Sequence, residues 1–438
     1  MSSELLSAEL AVPYFPAVAG LAAQLRDGRT GPGPFLERVL DRIHERDGYW
    51  RAFTRFRPET VRRRLADVEA LTGDLPLYGV PVGVKDLIDT ADEETEYGSV
   101  LHAGHRPTQD AEVVRKLRAA GAVIAGKTVT TEFALFQPPA TRNPHHPGRT
   151  PGGSSSGSAA AVAAGLVPVA LGTQTAGSVL RPASYCGVLG FKPGFAVIDR
   201  AGVRELARSF DTLGLFGRRV EDLRTVFRAI SDAPESAEPD GRPLRIAVGS
   251  GGDWRALEDG TEAVLRNVGQ RLVAAGCEVR ESELDGLLSS LADEQEVLMG
   301  FEAHRTLGPE FQTRPDGLSP RLRSYLEASA VISSERAIDA MVRISRWQSE
   351  WEERTRGLDA VVVPSAFGEA PAATSTGDPR LCRAGTALGI PAISLPLGTG
   401  PDGLPIGVQL LGRRLQDHHL LDVAARVMEV FDGGPRPA

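Results

Sequence analysis

The alternation of short apolar runs with amphipathic segments constrains the fold of this sequence more than any other feature. Apolar residues recur at helical spacing in residues 34–46 and again in 111–121, where Gly121 is a normal helix stop. A closing helix is predicted over 417–431. Strand-like apolar runs occupy residues 123–125, 243–250, 358–365, 390–396 and 404–412. This alternation predicts an α/β protein with a largely buried sheet.

The segment 231–243 is rich in Pro, Asp, Glu and Ser, which makes it the best candidate for a linker between the two halves of the chain. The strand-like runs that follow it are few and scattered, so they do not indicate a separate second domain. We therefore expect one sheet built from both halves, in a single domain that spans residues 1–438.

Charge and composition exclude several classes of function. The net charge is −8. Proteins that bind nucleic acids usually carry a basic surface, so this charge favours a small-molecule or protein partner instead. No apolar run reaches the roughly 18 residues of a membrane helix. The first twenty residues carry Glu4 and Glu9 but no basic residue, unlike a secretory signal. The three cysteines show neither a disulfide framework nor a metal spacing. A cytoplasmic protein without a metal or other cofactor is expected.

The stretch "TPGGSSSGSAAAVAAG", residues 150–165, admits three interpretations. A flexible linker fits poorly, because a helix-forming run follows and favours a serine-capped helix. A phosphate cradle lacks the Lys-Ser/Thr ending of a P-loop. Ser155 is central in a formal G-x-S-x-G match, but prolines at 144, 147 and 151 exclude the strand that a nucleophile elbow requires before it.

Two further stretches narrow the interpretation, "YGVPVGVKDLIDT" at 78–90 and "LGTQTAGSVLRPASYCGVLGFKPG" at 171–194. Together with 150–165 they resemble the motifs of the amidase signature family, in the family's order. The resemblance implies a large, mostly buried mixed β-sheet covered by helices on both faces. It also implies a signature core over about residues 78–217 and a variable, pocket-shaping region over about 285–380. Ser156, Gln174 and Ala176 stand where many members have Gly, Asp and Gly.

The resemblance assigns the roles in catalysis. Ser178 is the implied nucleophile, Ser154 the bridging serine, which follows a cis peptide bond in the family, and Lys85 the base. Physical reasoning agrees, since a serine hydroxyl needs a base and no histidine lies in the three motifs. A buried lysine can act as that base, whereas an arginine cannot lose its proton. The implied oxyanion hole consists of the backbone N–H groups of Thr175, Ala176, Gly177 and Ser178.

Four other residues are candidates for substrate binding: Tyr97, Gly153, Thr131 and Arg181. Arg181 either binds an anionic group of the substrate or forms a structural ion pair. Phe133 and Phe136 either line the pocket or fill the core. His102 and His105 form an H-x-x-H pair, but the sequence shows no acidic partner for them, so a metal site is not expected.

These observations predict a stand-alone amidase that cleaves the C–N bond of a small amide through an acyl-enzyme on Ser178. Esters and carbamates are further candidate substrates, and a homodimer is a candidate assembly. Two alternatives stay open. One is the amidotransferase subunit that supplies ammonia to misacylated tRNA within a complex. The other is a non-catalytic binding protein on the same scaffold.

Overall fold

The computed structural model describes residues 15–28, 31–234, 241–252 and 257–432. Within these ranges fourteen α-helices surround one sheet of eleven strands. Part of the candidate linker 231–243 and most of the N-terminal segment on which the secretory argument rests lie outside the described residues.

The sheet is mixed, as expected. The strand order is β1-β3-β2-β4-β6-β5-β10-β11-β9-β7-β8. Strand β2 is parallel to both β3 and β4, strand β7 is parallel to β8 and β9, and the other pairs are antiparallel. The strands are β1 (Phe53–Arg55), β2 (Pro81–Lys85), β3 (Val123–Thr128), β4 (Val169–Gln174), β5 (Leu189–Lys192), β6 (Thr212–Gly217), β7 (Arg245–Val248), β8 (Glu278–Glu281), β9 (Ala360–Pro364), β10 (Ala392–Thr399) and β11 (Pro405–Leu411).

Helices lie along both halves of the chain between these strands. They are α1 (Val18–Arg26), α2 (Pro32–Trp50), α3 (Pro58–Glu69), α4 (Glu112–Ala119), α5 (Ser156–Ala163), α6 (Leu180–Cys186), α7 (Val220–Ile230), α8 (Asp259–Ala274), α9 (Asp285–Thr306), α10 (Gly308–Thr313), α11 (Pro320–Ser329), α12 (Ser334–Arg354), α13 (Arg380–Ala387) and α14 (Asp417–Asp432). The predicted helices and strands are present, and most boundaries differ from the predictions by one to four residues.

The two halves of the chain share the sheet at the pairing of β5 with β10. Phe191 lies opposite Ile393 in this antiparallel pair, and Lys192 lies opposite Ala392. All residues of the central strands β2, β3, β4, β6 and β9 are buried, whereas three of the four residues of the edge strand β8 are exposed. Strands buried on both faces read as continuous apolar runs, which is why the sequence predicts them well.

Candidate active site

The three family-like motifs meet at one edge of the sheet. Strands β2 and β4 are parallel neighbours, so their carboxyl ends lie at the same edge. Lys85 is the last residue of β2, and the turn that contains Ser178 directly follows β4. Ser154 lies in the loop just before α5, the helix that precedes β4 in the chain. Open α/β sheets commonly bind their ligands at this edge.

Lys85 is fully buried, and its amine nitrogen is held by hydroxyl groups. Lys85 Nζ lies 2.7 Å from Ser154 Oγ and 2.8 Å from Thr173 Oγ1, and it donates to both. Burial lowers the pKa of Lys85 well below its ordinary value, and the negative charge of Asp211 opposes that shift only in part. The neutral amine, which can accept a proton, is therefore favoured.

The three consecutive serines at the start of α5 differ in their hydrogen bonds. The peptide bond between Gly153 and Ser154 is cis, as the resemblance implies. Ser155 has no exposed surface, and its Oγ donates to Thr173 O and accepts from Thr173 N. Its side chain makes no capping bond to α5, so the predicted serine cap is wrong. Ser156 Oγ donates to Gly152 O instead. Ser155 is thus tied into the strand and cannot reach a ligand.

Ser178 lines a small cavity together with Ser154. The Ser178 side chain retains some exposure, and within the described part of the chain its hydroxyl makes no hydrogen bond. No hydrogen bond joins the hydroxyls of Ser154 and Ser178 in this structure. The structure therefore brings Lys85 and Ser154 into direct contact and leaves the Ser178 hydroxyl free beside them.

The residues 175–178 form a turn that we call the oxyanion loop. Among the described residues, none of its four backbone N–H groups donates a hydrogen bond to the protein. Buried N–H groups are almost always paired in folded proteins. Four consecutive unpaired N–H groups beside a cavity are suited to bind an oxygen that carries negative charge. Thr175, Ala176 and Ser178 line the cavity itself, whereas Gly177 does not.

Contacts from distant parts of the chain hold the oxyanion loop. Thr175 Oγ1 donates to Asp211 Oδ1 at 2.6 Å. Gln295 Nε2 donates to Thr175 O at 2.8 Å, and Thr386 Oγ1 donates to Ala176 O at 2.9 Å. The loop carbonyls are engaged in this way while the N–H groups remain free. The sequence does not predict the role of Asp211, Gln295 and Thr386, because nothing in their spacing relates them to the loop.

Arg181 lines the cavity without a carboxylate partner. Its Nε donates to Thr376 O at 2.8 Å, and its Nη2 donates to Gly153 O at 2.6 Å. Its Nη1 is buried and has no hydrogen-bond partner, and among the described residues no carboxylate forms an ion pair with the guanidinium. The alternative of a structural ion pair is therefore wrong for Arg181. The hydroxyl of Thr131, also on the cavity wall, is likewise buried without a partner.

The rest of the cavity wall is mostly apolar, formed by Ala134, Leu135, Phe136, Leu206, Met299, Thr376 and Pro379. Gly153 also lies on the wall. Phe136 therefore lines the cavity, whereas Phe133 packs in the core beside Tyr97. Tyr97 does not line this cavity; burial raises the pKa of its hydroxyl to about 12.

The histidine pair has an acidic partner that the sequence did not show. His102 Nε2 lies 3.1 Å from Glu310 Oε1, and Glu310 also accepts a hydrogen bond from Arg204. Over the described residues, no group of three or more His, Cys, Asp and Glu side chains is arranged to hold a metal ion. No α-helix in the same ranges is both long enough and apolar enough to span a bilayer.

Comparison with known proteins agrees with the motifs. Residues 35–421 match the profile of the Amidase family. The chain is 32% identical to a glutamyl-tRNA(Gln) amidotransferase subunit of Symbiobacterium thermophilum, over 89% of this chain and 91% of that protein. Among solved structures, it resembles a 6-aminohexanoate cyclic dimer hydrolase with a TM-score of 0.85 and 25% identity, covering 95% and 97% of the two chains. The peptide amidase of Stenotrophomonas maltophilia matches with a TM-score of 0.81 and 27% identity, covering 96% and 98%.

Proposed function

The chain belongs to the amidase signature family, and from that premise we propose that it is a serine hydrolase that cleaves the C–N bond of a small amide. The observation that carries the proposal is the contact of the buried Lys85 amine with Ser154, next to a Ser178 hydroxyl that makes no hydrogen bond to the described residues. A nucleophile and an oxyanion site then line one cavity, and a base with a lowered pKa contacts Ser154 on its wall, the combination that acyl transfer requires.

In the proposed mechanism, Ser154 and Lys85 carry a proton away from Ser178 and later return it to the leaving group. Neutral Lys85 takes a proton from Ser154 while Ser154 takes one from Ser178, and Ser178 Oγ attacks the amide carbonyl. This relay requires the Ser178 hydroxyl to turn towards Ser154, and such contacts are often loose in unliganded enzymes. The oxyanion loop stabilises the developing charge, each N–H contributing roughly 3 kcal/mol. The proton returns through Ser154 to the leaving amine, and water then hydrolyses the acyl-enzyme.

The free donor of Arg181 supports a preference for substrates that carry a negatively charged or strongly polar acceptor near the scissile bond. A buried guanidinium that lacks a carboxylate partner gains from an anion supplied by a ligand. Thr131 and Gly153 contribute to the same wall, whereas Tyr97 does not line the cavity and packs against Phe133. Matched pairs of amides, with and without a carboxylate on the acyl chain, test this preference through kcat/KM, and the same panel with esters and carbamates defines the range of leaving groups.

The test of the catalytic assignment is covalent labelling by a fluorophosphonate. We expect the wild-type chain to be labelled at Ser178 and Ser178→Ala to lose both labelling and amide turnover while it stays folded. Ser155→Ala is the matched control, because Ser155 lies in the neighbouring motif but is tied to Thr173; it should keep its labelling. Retention of more than a few per cent of the wild-type rate in Ser178→Ala would place the nucleophile elsewhere. A chain that is never labelled would favour a non-catalytic binding protein.

The second candidate function is that of an amidotransferase component, and the similarity to the Symbiobacterium thermophilum protein over most of both chains supports it. Such a component hydrolyses glutamine and passes on ammonia within a complex. Glutaminase activity of the isolated chain, together with weak activity on aryl and aliphatic amides, would favour this function. Efficient hydrolysis of simple amides by the isolated chain would favour the stand-alone amidase.

A further inference from the structure

The side chain of Gln174 closes the base of the oxyanion loop. Gln174 is the last residue of β4, and it has no exposed surface. Its Oε1 accepts from Val179 N at 2.8 Å and from Leu180 N at 3.1 Å. The four residues of the loop lie between Gln174 and Val179 in the chain, so these hydrogen bonds hold the two ends of the loop together.

The same hydrogen bonds fix which way the amide of Gln174 points. A backbone N–H can only donate, so the atom that faces Val179 and Leu180 must be the oxygen of the amide. The nitrogen then lies on the other side, where Gln174 Nε2 donates to Thr386 Oγ1 at 3.0 Å. Exchanging the two amide atoms would set N–H groups against N–H groups, so the network assigns one orientation.

The direction of the bond from Gln174 determines what the Thr386 hydroxyl does. A hydroxyl has one hydrogen, and the amide nitrogen of Gln174 cannot accept it. The hydrogen therefore goes to a carbonyl oxygen, and Ala176 O at 2.9 Å is nearer than Cys382 O at 3.2 Å. The donors thus run in one direction, from Gln174 through Thr386 to the oxyanion loop.

A second amide holds the neighbouring carbonyl of the loop in the same way. Gln295 Oε1 accepts from Arg383 Nη1 at 2.5 Å, and a guanidinium can only donate. The nitrogen of the Gln295 amide therefore faces Thr175 O and donates to it at 2.8 Å. These contacts engage two consecutive carbonyls of the loop and none of its N–H groups.

We propose that Gln174 is a positioning residue of the hydrolase, because its amide sets the direction of the hydrogen bonds that hold the oxyanion loop. The inference rests on the proposed function, in which this loop stabilises the oxyanion. A side chain of the same length with only acceptors would take the hydrogen of Thr386 and leave the Ala176 carbonyl without that donor. The aspartate that many members of the family carry here is one carbon shorter, so the inference concerns chains with Gln at this position.

Gln174→Glu tests this role, because it keeps the acceptor for Val179 and Leu180 but replaces the donor with a second acceptor. A carboxylate attracts the Thr386 hydrogen more strongly than a neutral carbonyl does. We expect kcat for an amide to fall roughly tenfold or more, since the oxyanion loop loses its shape. A residue that only caps the start of α6 would tolerate this substitution, so an unchanged kcat overturns the proposal.

The matched control is Gln270→Glu, which makes the same chemical change at an exposed position of α8. It should keep the wild-type kcat. Circular dichroism verifies that both variants are folded.

A double-mutant cycle with Thr386→Val separates the direction of the hydrogen bonds from the added negative charge. Once Thr386 has lost its hydroxyl, Gln174→Glu can no longer alter where that hydroxyl points. We expect the loss of kcat caused by Gln174→Glu to be at least ~3-fold smaller in the Thr386→Val background than in the wild type. An equal loss in both backgrounds would trace the effect to charge alone and overturn the proposal.

Neutron diffraction from deuterated crystals of the wild type tests the direction itself, without a variant and without turnover. We expect the deuterium on Thr386 Oγ1 to point to Ala176 O. Deuterium directed to Cys382 O or to Gln174 overturns the proposal whether or not the chain is a hydrolase. A wild type that neither cleaves amides or esters nor reacts with a fluorophosphonate would instead remove the proposed function, and with it the catalytic consequence of Gln174, while the neutron map still decides the direction.

Discussion

The surroundings of a lysine decide whether it can act as a base. The chain has four lysines, and Lys85, Lys127 and Lys192 are all fully buried. Burial lowers the pKa of both Lys127 and Lys192 to about 8. Lys127 Nζ forms an ion pair with Asp86 Oδ1 at 3.7 Å, and Lys192 Nζ donates to two backbone carbonyls. The two nearest acceptors of Lys85 are hydroxyls, which stabilise a positive charge less well than a carboxylate does.

Removal of Lys85 should damage amide cleavage more than ester cleavage. In the proposed mechanism Lys85 activates Ser178 and also returns a proton to the leaving group. An amide nitrogen needs that proton, whereas an alkoxide or a phenolate leaves more easily without it. General acid and general base steps each contribute ~10² to 10⁴-fold. We therefore expect Lys85→Ala to lose both contributions on an amide and chiefly one on the ester with the same acyl group.

The measurement is kcat/KM for the matched amide and ester, with folding checked by circular dichroism. Lys116→Ala is the control, because Lys116 pairs with Asp232 at the surface and should leave both rates unchanged. Equal losses on the two substrates would limit Lys85 to activation of the nucleophile. An unaffected amide rate would remove Lys85 from the mechanism.

The pH dependence of the rate should report the pKa of Lys85. The neutral amine is the working form, so kcat/KM is expected to rise with pH until Lys85 has lost its proton and then to level off through the neutral to alkaline range. The negative charge of Asp211 raises the pKa of Lys85. Removing that charge in Asp211→Asn should therefore move the rising limb of the profile to lower pH.

Burial raises the pKa of Asp211 itself to about 6, so the wild type and Asp211→Asn should differ most above that pH, where Asp211 is charged. Since Asp211 also accepts from Thr175, we expect a lower kcat in addition. A limb that moves to higher pH would contradict the assignment of the rate profile to Lys85. If kcat falls but the rising limb of the pH profile does not move, Asp211 only holds the oxyanion loop in position.

At the level of elements, the β4–α6 connection is shaped by two helices from the second half of the chain. Gln295 on α9 and Thr386 on α13 both donate to carbonyls of the oxyanion loop. Thr386 Oγ1 also accepts from Gln174 Nε2 at 3.0 Å. The helices thus engage the acceptors of the loop and leave its donors for a substrate.

Thr386→Val should lower kcat roughly tenfold or more, since the loss of its hydroxyl frees the Ala176 carbonyl and lets the oxyanion loop move. It should also cost about 1–3 kcal/mol of the free energy of unfolding, because buried polar groups lose their partner. Ser365→Ala is the control, as the Ser365 hydroxyl forms a buried pair with that of Ser394 and makes no hydrogen bond to the oxyanion loop in the described part of the chain. It should lose comparable stability but keep its kcat. An unchanged kcat in Thr386→Val would show that the loop holds its shape without this contact.

At the level of the whole molecule, the two halves of the chain depend on each other. The pairing of β5 with β10 is internal to the sheet, so separating the halves would expose two buried strand edges. We expect calorimetry to show one cooperative unfolding transition. A chain cut between residues 234 and 241 through an introduced protease site should stay associated and unfold in the same transition. Two well-separated transitions would indicate that each half is a folding unit.

Local patterns in the sequence determined the fold class and predicted the residues of the proposed catalytic trio. Buried strands read as apolar runs, and the serine and lysine motifs are contiguous segments whose residue types and order are visible without a structure. The expectation that Ser155 is not the nucleophile also needed only the prolines before it. These features depend on neighbours within a few residues of one another.

Only the tertiary structure decided the state of those residues. It buries Lys85 among hydroxyls, leaves Arg181 without a carboxylate partner among the described residues and packs Tyr97 against Phe133 rather than on the cavity wall. It also brings Gln295 to Thr175 across 120 residues of chain, and Thr386 to Ala176 across 210. The pKa of a side chain and the pairing of a backbone group depend on what lies around them in space, and contacts at such separations leave no periodic trace in a single sequence.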